Sequence, residues 1–243
     1  MVKIALDARH DPKALGETLR TNGRLQIPNF LEEGVANHLE GLLLRNNTWF
    51  VAYNEGHEFF EIPLSGIARM SPEQQNRLVD AIDRGARAGF QYFFHQYYMT
   101  DAIRNGREQG HPLHAMHDYV NSEPFLGFMR DLTGDAAITH ADSFASRYLP
   151  GHFLTEHNDT HAHENRAAAY TISMTRRWQP DWGGNLLFYG EDGNIDAGFT
   201  PSFNTLNIFL IPQPHAVSHV APFSGAPRLS FLGWLKRGER PDY

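Results

Sequence analysis

Apolar positions change rhythm about half-way along the chain. From Leu31 to Leu44 they fall at Leu31, Val35, Leu39, Leu42 and Leu43, close to the spacing of one helical face. Ser71, Pro72 and Gln74 make a helix start, with serine at the cap, proline at the first position and glutamine at the third. The helix they open is expected to run toward Phe94. A third helical stretch covers Glu123 to Leu132, apolar at Phe125, Leu126, Phe128, Met129 and Leu132, with Gly134 as its stop. From Ala137 onward the pattern becomes short runs rich in Thr, Ser, Phe, Tyr, Ile and Leu, divided by Gly, Pro, Asn and Asp. Strands are expected at 138–148, 152–156, 168–176, 185–189, 195–198, 204–211, 216–221 and 227–236. About eight short strands so close together indicate a sandwich or barrel. Helices first and strands second is the α+β pattern. The expected architecture is a single domain over 1–243. A mainly helical part, 1–135, packs on a double-stranded β-helix (jelly-roll) core, 136–243.

Composition narrows the partners. The chain has 243 residues, 41% hydrophobic and 20% charged, the profile of an ordinary globule able to bury a sizeable core. A formal charge of −7 argues against broad binding to nucleic acid or anionic lipid. The absence of cysteine removes disulfides, thiolate zinc sites and cysteine nucleophiles, and leaves His, Asp and Glu as metal ligands. The start, MVKIALDARHDPK, lacks the apolar run of a signal peptide. No stretch approaches the roughly 20 apolar residues of a membrane span. A cytoplasmic location is the expectation.

The stretch HNDTHAHENR (157–166) carries the first chemical signal. Side chains alternate faces along a strand, so His157 and Asp159 project the same way if the backbone there is extended. Two imidazoles and one carboxylate can occupy one face of a ferrous ion and leave the other open, the donor set of non-haem iron oxygenases. That donor set also suits Mn, Co, Ni and Zn, so spacing alone does not choose the metal. A His-x-Asp pair is common, and a polar histidine-rich turn is the plain alternative.

The company of the pair is more specific. Tyr148 to Phe153 (YLPGHF) lies upstream, Gly183 to Phe188 (GGNLLF) lies between, and His215 to Trp234 lies downstream. The order aromatic-x-Pro-Gly-x-Phe, His-x-Asp, Arg, a Gly-Gly turn, His-x-Val-x-x-Val and Arg-x-Ser into Gly-Trp resembles the 2-oxoglutarate- and Fe(II)-dependent dioxygenases. The branch it is similar to is that of the prolyl 4-hydroxylases. The resemblance covers roughly Ile138 to Arg237.

What the resemblance implies is concrete. Fe(II) would be held by His157, Asp159 and a third histidine. The His-x-Val-x-x-Val register gives His215, whereas His219 lies nearer Arg228 and competes for the role. An unbroken strand would point both the same way, because they differ by an even step. The cosubstrate 2-oxoglutarate would be gripped by Arg228, with Ser230 two residues on and so on the same strand face, and Tyr148 touching the same distal carboxylate. O2 is the second cosubstrate. The reaction would hydroxylate an unactivated C–H bond and release succinate and CO2, on a prolyl residue of a peptide or protein or on a free amino acid. No general base is needed.

Several residues stay open. Arg166 braces the site, touches substrate or is a strand-edge cation; Asn207 and Thr171 lie on strands near the expected pocket. The aromatic run FQYFFHQYYM (90–99), Trp178 and Trp182 could line a groove, but core packing is the commoner fate of such residues. A cupin-like metalloenzyme or binding module on the same barrel is the competing class, though it gives no reason for Arg228 and Ser230. A zinc hydrolase would need a base such as Glu156 or Glu164. Glu156 is out of phase with His157 and should turn away.

Overall fold

The computed structural model describes residues 3–56 and 58–241; Met1, Val2, His57, Asp242 and Tyr243 lie outside the described residues. The first half contains α1 (Pro12–Asn22), β1 (Arg24–Pro28), α2 (Glu33–Arg45), β2 (Phe50–Glu55), β3 (Glu58–Pro63), α3 (Leu64–Ile67), α4 (Pro72–Ala88), β4 (Tyr92–Tyr98), α5 (Met99–Arg104), α6 (His114–Val120) and α7 (Glu123–Thr133). The second half contains β5 (Ile138–Ala141), β6 (Phe144–Tyr148), β7 (Phe153–His157), β8 (Arg166–Met174), β9 (Leu186–Tyr189), β10 (Ile195–Phe199), β11 (Phe203–Leu210), β12 (His215–Val217) and β13 (Arg228–Arg237). Among the described residues no helix is long and apolar enough to cross a membrane.

Caps explain the helix limits. Ser71 accepts from the Gln74 N–H at 3.3 Å and Gln74 returns a bond to the Ser71 N–H at 2.7 Å, the reciprocal box expected from the sequence. Helix α7 ends at Gly134, whose left-handed φ of 73° suits glycine. Helix α4, however, stops at Ala88 instead of running to Phe94. Gly85 and Gly89 weaken its last turn, and the aromatic run after it favours a pleated surface.

That run, β4, marks the main departure from a helical first half. Strands β1 to β4 all join the sheet of the second half. Its path runs β1-β11-β8-β13-β6-β4-β7-β12-β9-β10, with β5 beside β13 and the β2–β3 hairpin beside β4. Among the described residues every strand pairing is antiparallel. The sheet curls into a nearly closed jelly-roll barrel, so the fold is α+β as expected. β1 to β3 are short and carry little period of their own, which is why the pattern of the first half reads as helical.

The largest core cluster lies between the helices and the outer face of the long strands. It joins Phe125, Met129 and Leu132 of α7 and Leu39 of α2 to Tyr170 and Ile172 of β8 and Leu229, Phe231 and Leu235 of β13. Burying one such side chain stabilises by about 1.5–3 kcal/mol. The same register turns Arg228, Ser230, Leu232 and Trp234 to the barrel interior. A slip of one residue would exchange the two sets, so the outer core fixes which side chains face inward.

Candidate metal centre and cosubstrate pocket

His157 closes β7 and His215 opens β12, and the two are direct cross-strand partners. Their ring centroids lie 4.1 Å apart. Each ring is oriented the same way: His157 Nδ1 bonds the Thr155 carbonyl at 3.0 Å, and His215 Nδ1 bonds the Gln213 carbonyl at 2.8 Å. A carbonyl only accepts, so Nδ1 carries the proton and Nε2 presents a lone pair. Both Nε2 atoms face Asp159, at 3.3 Å from Oδ1 for His157 and 3.4 Å from Oδ2 for His215. One ligand atom from each of the three residues lies within 4.8 Å of the others.

Asp159 does not reach this point by strand alternation. β7 ends at His157, and Asp159 adopts a left-handed φ of 62°. Aspartate tolerates that region better than most residues, and it swings the carboxylate between the imidazoles. Arg166 Nη1 donates to the Asp159 carbonyl at 3.2 Å. Burial pushes the Asp159 carboxyl up, but its contacts with His157, His215 and Trp234 outweigh it, so its pKa lies below the usual value. Burial and the neighbouring His157 push His215 down to about 4, leaving it neutral at pH 7. Three proton-free donors converging on one point favour a cation there, and the donor set fits ferrous iron.

The same cavity, about 470 Å³, is lined at its other end by Arg228 and Tyr148. Arg228 and Tyr148 are cross-strand partners, and the guanidinium carbon lies 4.9 Å over the tyrosine ring. Arg228 is 5% exposed, makes no ion pair among the described residues, and its Nε lacks a partner. Burial lowers its pKa. Ser230 and its cross-strand partner Ser146 are fully buried with unpartnered hydroxyls. Tyr148 stacks on Phe94 with centroids 4.8 Å apart, and burial raises its hydroxyl pKa. An unpaired buried cation with hydroxyls beside it is costly unless an anion joins it. A carboxylate fits.

The remaining candidates separate clearly. His219 is exposed, stacks on Phe153 at 6.1 Å, and stands outside the donor cluster. β12 ends at Val217, so the even-step argument fails after that residue. The chain then passes Gly183, where an added Cβ would sit 2.0 Å from the His219 carbonyl oxygen, and φ there is 69°. Glu156 is exposed on the outer face, as expected. Glu164 pairs with Arg166 and Lys236. Thr171 lines the cavity, whereas Asn207 bonds Gln26 and the Thr171 carbonyl. Trp178 donates to the Gly183 carbonyl at 2.8 Å and packs against the cluster of Phe94, Tyr148, Val217 and Val220, behind the cavity lining. The aromatic run divides by period two: Tyr92, Phe94, Gln96 and Tyr98 line the cavity, while Phe93 packs in a second core with Val51 and Ile82. Alternation in YFFHQYY is the signal that could have found those four wall residues.

Residues 143–236 match the family model of the 2OG-Fe(II) oxygenase superfamily. The matched segment contains His157, Asp159 and His215 together with Tyr148, Arg228 and Ser230. The superfamily uses Fe(II), 2-oxoglutarate and O2, and the His and Asp donors fit that iron. No curated protein matches the sequence. The fold of the chain is similar to that of solved structures along nearly its whole length. A Pseudomonas putida prolyl-4-hydroxylase is 19% identical, with 94% of this chain and 100% of that chain covered and a TM-score of 0.61. A Trichoplax adhaerens prolyl hydroxylase, in complex with a hypoxia inducible factor oxygen degradation domain peptide fragment, is 16% identical, covering 93% and 89%, with a TM-score of 0.60. A Burkholderia pseudomallei oxidoreductase of the 2OG-Fe(II) oxygenase family is 13% identical, covering 98% and 97%, with a TM-score of 0.57.

Proposed function

We propose that this chain is a 2-oxoglutarate-dependent oxygenase that hydroxylates an unactivated C–H bond of a prolyl residue within a peptide or protein, with release of succinate and CO2. In this reading His157, Asp159 and His215 hold Fe(II), and Arg228, Tyr148 and Ser230 hold the distal carboxylate of 2-oxoglutarate. The observation that carries it is the buried Arg228, without an acidic partner among the described residues, lining one cavity with the three converging donors. Bound iron, with 2-oxoglutarate and O2, supplies the oxidising power for the C–H step.

The chain's own residues bind and orient. The Thr155 and Gln213 carbonyls keep both Nε2 lone pairs on the metal side. The guanidinium offers parallel donors to a carboxylate, and the Ser230 and Tyr148 hydroxyls add donors of fixed direction. Leu154, Phe94 and Val217 line the cavity and exclude water from it.

The cavity also favours a peptidyl substrate over a free amino acid. A zwitterion needs partners for both its charges. Apart from Arg228, the cationic lining residue Arg166 is already paired with Glu164. The mouth instead carries rings: Phe59 and Phe90, 54% and 49% exposed, flank Tyr92. The peptide-bound neighbour from Trichoplax adhaerens supports the same choice. The test is a succinate-release screen of prolyl peptides against free proline. Peptide-stimulated release with hydroxyproline formed is the expected result; stimulation by free proline alone would contradict the peptidyl assignment.

A further inference from the structure

Five side chains of alternating charge run from the interior of the fold to Asp159. Asp142 is 1% exposed and takes Lys236 Nζ at 2.5 Å. The same ammonium reaches Glu164 Oε1 at 2.9 Å, and Glu164 Oε2 accepts from Arg166 Nε at 2.7 Å. Arg166 Nη1 in turn donates to the Asp159 carbonyl at 3.2 Å and lies 4.0 Å from its carboxylate. The guanidinium carbon sits 3.6 Å over the Trp234 ring, so Arg166 is held from two sides.

Arg166 and Lys236 are direct cross-strand partners on β8 and β13. Like charges placed opposite one another destabilise a sheet. Glu164 lies between them and accepts from both. Burial alone would raise its carboxyl pKa, but the bonds from Lys236 and Arg166 hold it below the usual value. Asp159, meanwhile, keeps a backbone conformation that few non-glycine residues adopt, with φ at 62°. Its own β7 strand has ended, so the bond from Arg166 is the tether that remains on its carbonyl.

We infer that Glu164 is a positioning residue for the metal centre: by joining Arg166 to Lys236 it keeps the Arg166 guanidinium on the Asp159 carbonyl. The inference rests on the reading of His157, Asp159 and His215 as metal donors. Without the Glu164 charge, Lys236 keeps Asp142 but Arg166 faces its like-charged cross-strand partner with no acid between them, and its guanidinium is driven off Asp159. The left-handed turn then loses its tether, and the carboxylate no longer sits between the two imidazoles.

The test uses the full chain and Co(II), titrated by calorimetry with the visible spectrum of the bound ion recorded alongside. Glu164→Gln is expected to weaken Co(II) binding by roughly tenfold or more, the size of effect seen when a group that orients a ligand is removed. The Co(II) absorption should change with it, while circular dichroism stays that of the wild type. Because Glu164 acts through Arg166, the double variant Glu164→Gln with Arg166→Gln should bind no more weakly than Arg166→Gln alone. Wild-type affinity and spectrum in Glu164→Gln, or full additivity in the double variant, would overturn the inference. If Glu164→Gln does not fold, Glu164→Asp carries the test, with a smaller loss expected and none overturning it. A wild-type chain that fails to bind Co(II) would instead strike at the donor reading itself.

Discussion

His157 and His215 pair at the ends of the short strands β7 and β12, with Asp159 beyond the end of β7, whereas Arg228 and Tyr148 pair at the ends of β13 and β6, central strands of the sheet, with Ser230 two residues inside β13. The first set is held by local devices: one carbonyl two residues upstream of each imidazole and a tethered left-handed turn. The second set is held by the sheet, since Leu229 and Phe231 on the opposite face of β13 are buried against the helices. The comparison teaches that one cavity is assembled from two kinds of support. One can be undone by a neighbouring side chain, the other only by moving a strand.

The sharpest break of that comparison removes a donor. His157→Ala, Asp159→Ala or His215→Ala should abolish metal binding and 2-oxoglutarate-dependent succinate release, and leave the fold intact by circular dichroism. Retained turnover in any of them would contradict its assignment. Arg228→Ala should raise the KM for 2-oxoglutarate by roughly two to three orders of magnitude, as expected when a buried charge-paired contact is lost. Co(II) affinity should be unchanged, which separates the two ends of the cavity.

The two faces of β13 should separate in the same way. Phe231→Ala is expected to cost about 3–5 kcal/mol of stability, read by urea unfolding. Ser230→Ala should leave stability nearly unchanged and raise the KM for 2-oxoglutarate about fivefold to tenfold, the worth of one hydrogen bond. A stability loss in Ser230→Ala without a KM change would refute its place in the pocket.

Acid acts on both supports, less steeply. Burial pushes His95 down to about 3 and His152 to about 4, and His215 to about 4. The unfolded chain binds protons on these groups near their ordinary value of 6.5 and the folded chain does not. Stability of the metal-free chain should therefore fall as pH drops from about 6.5 toward 4. A flat profile over that window would contradict their burial as neutral rings. The smallest effect is expected of His219→Ala, which should leave Co(II) affinity unchanged because the ring stacks on Phe153 outside the cavity.

Much of this was legible in the sequence where chemistry and period coincide. Most strands of the second half appear within a few residues of their expected limits, because alternating Thr, Phe, Ile and Leu between turn residues is a strong pleated signal, but the run 138–148 divides into β5 and β6 and the run 216–221 stops at Val217. Arg228 and Ser230 share a face for the same reason. Asp159 reaches the donor cluster, but by a left-handed turn that strand alternation does not foresee. The even step from His215 to His219 misleads because β12 spans only His215–Val217. The strands β1 and β4 were hidden because pairing partners lie far along the chain, as Leu25 opposite Ile208 and His95 opposite Arg147, whereas the β2–β3 hairpin pairs locally but carries little alternation of its own. The chain from Asp142 through Lys236 and Glu164 to Arg166 was invisible for the same reason. Its members meet only once β8 and β13 are side by side.

Anaerobic titration of the wild-type chain with 2-oxoglutarate, with and without Fe(II), bears on the whole account at once. Saturable binding of one equivalent that requires the metal, brings a visible charge-transfer band, and weakens steeply in Arg228→Ala is the predicted result. Binding that is indifferent to the metal, or none at all, would contradict a shared cavity with iron at one end and a carboxylate anchor at the other.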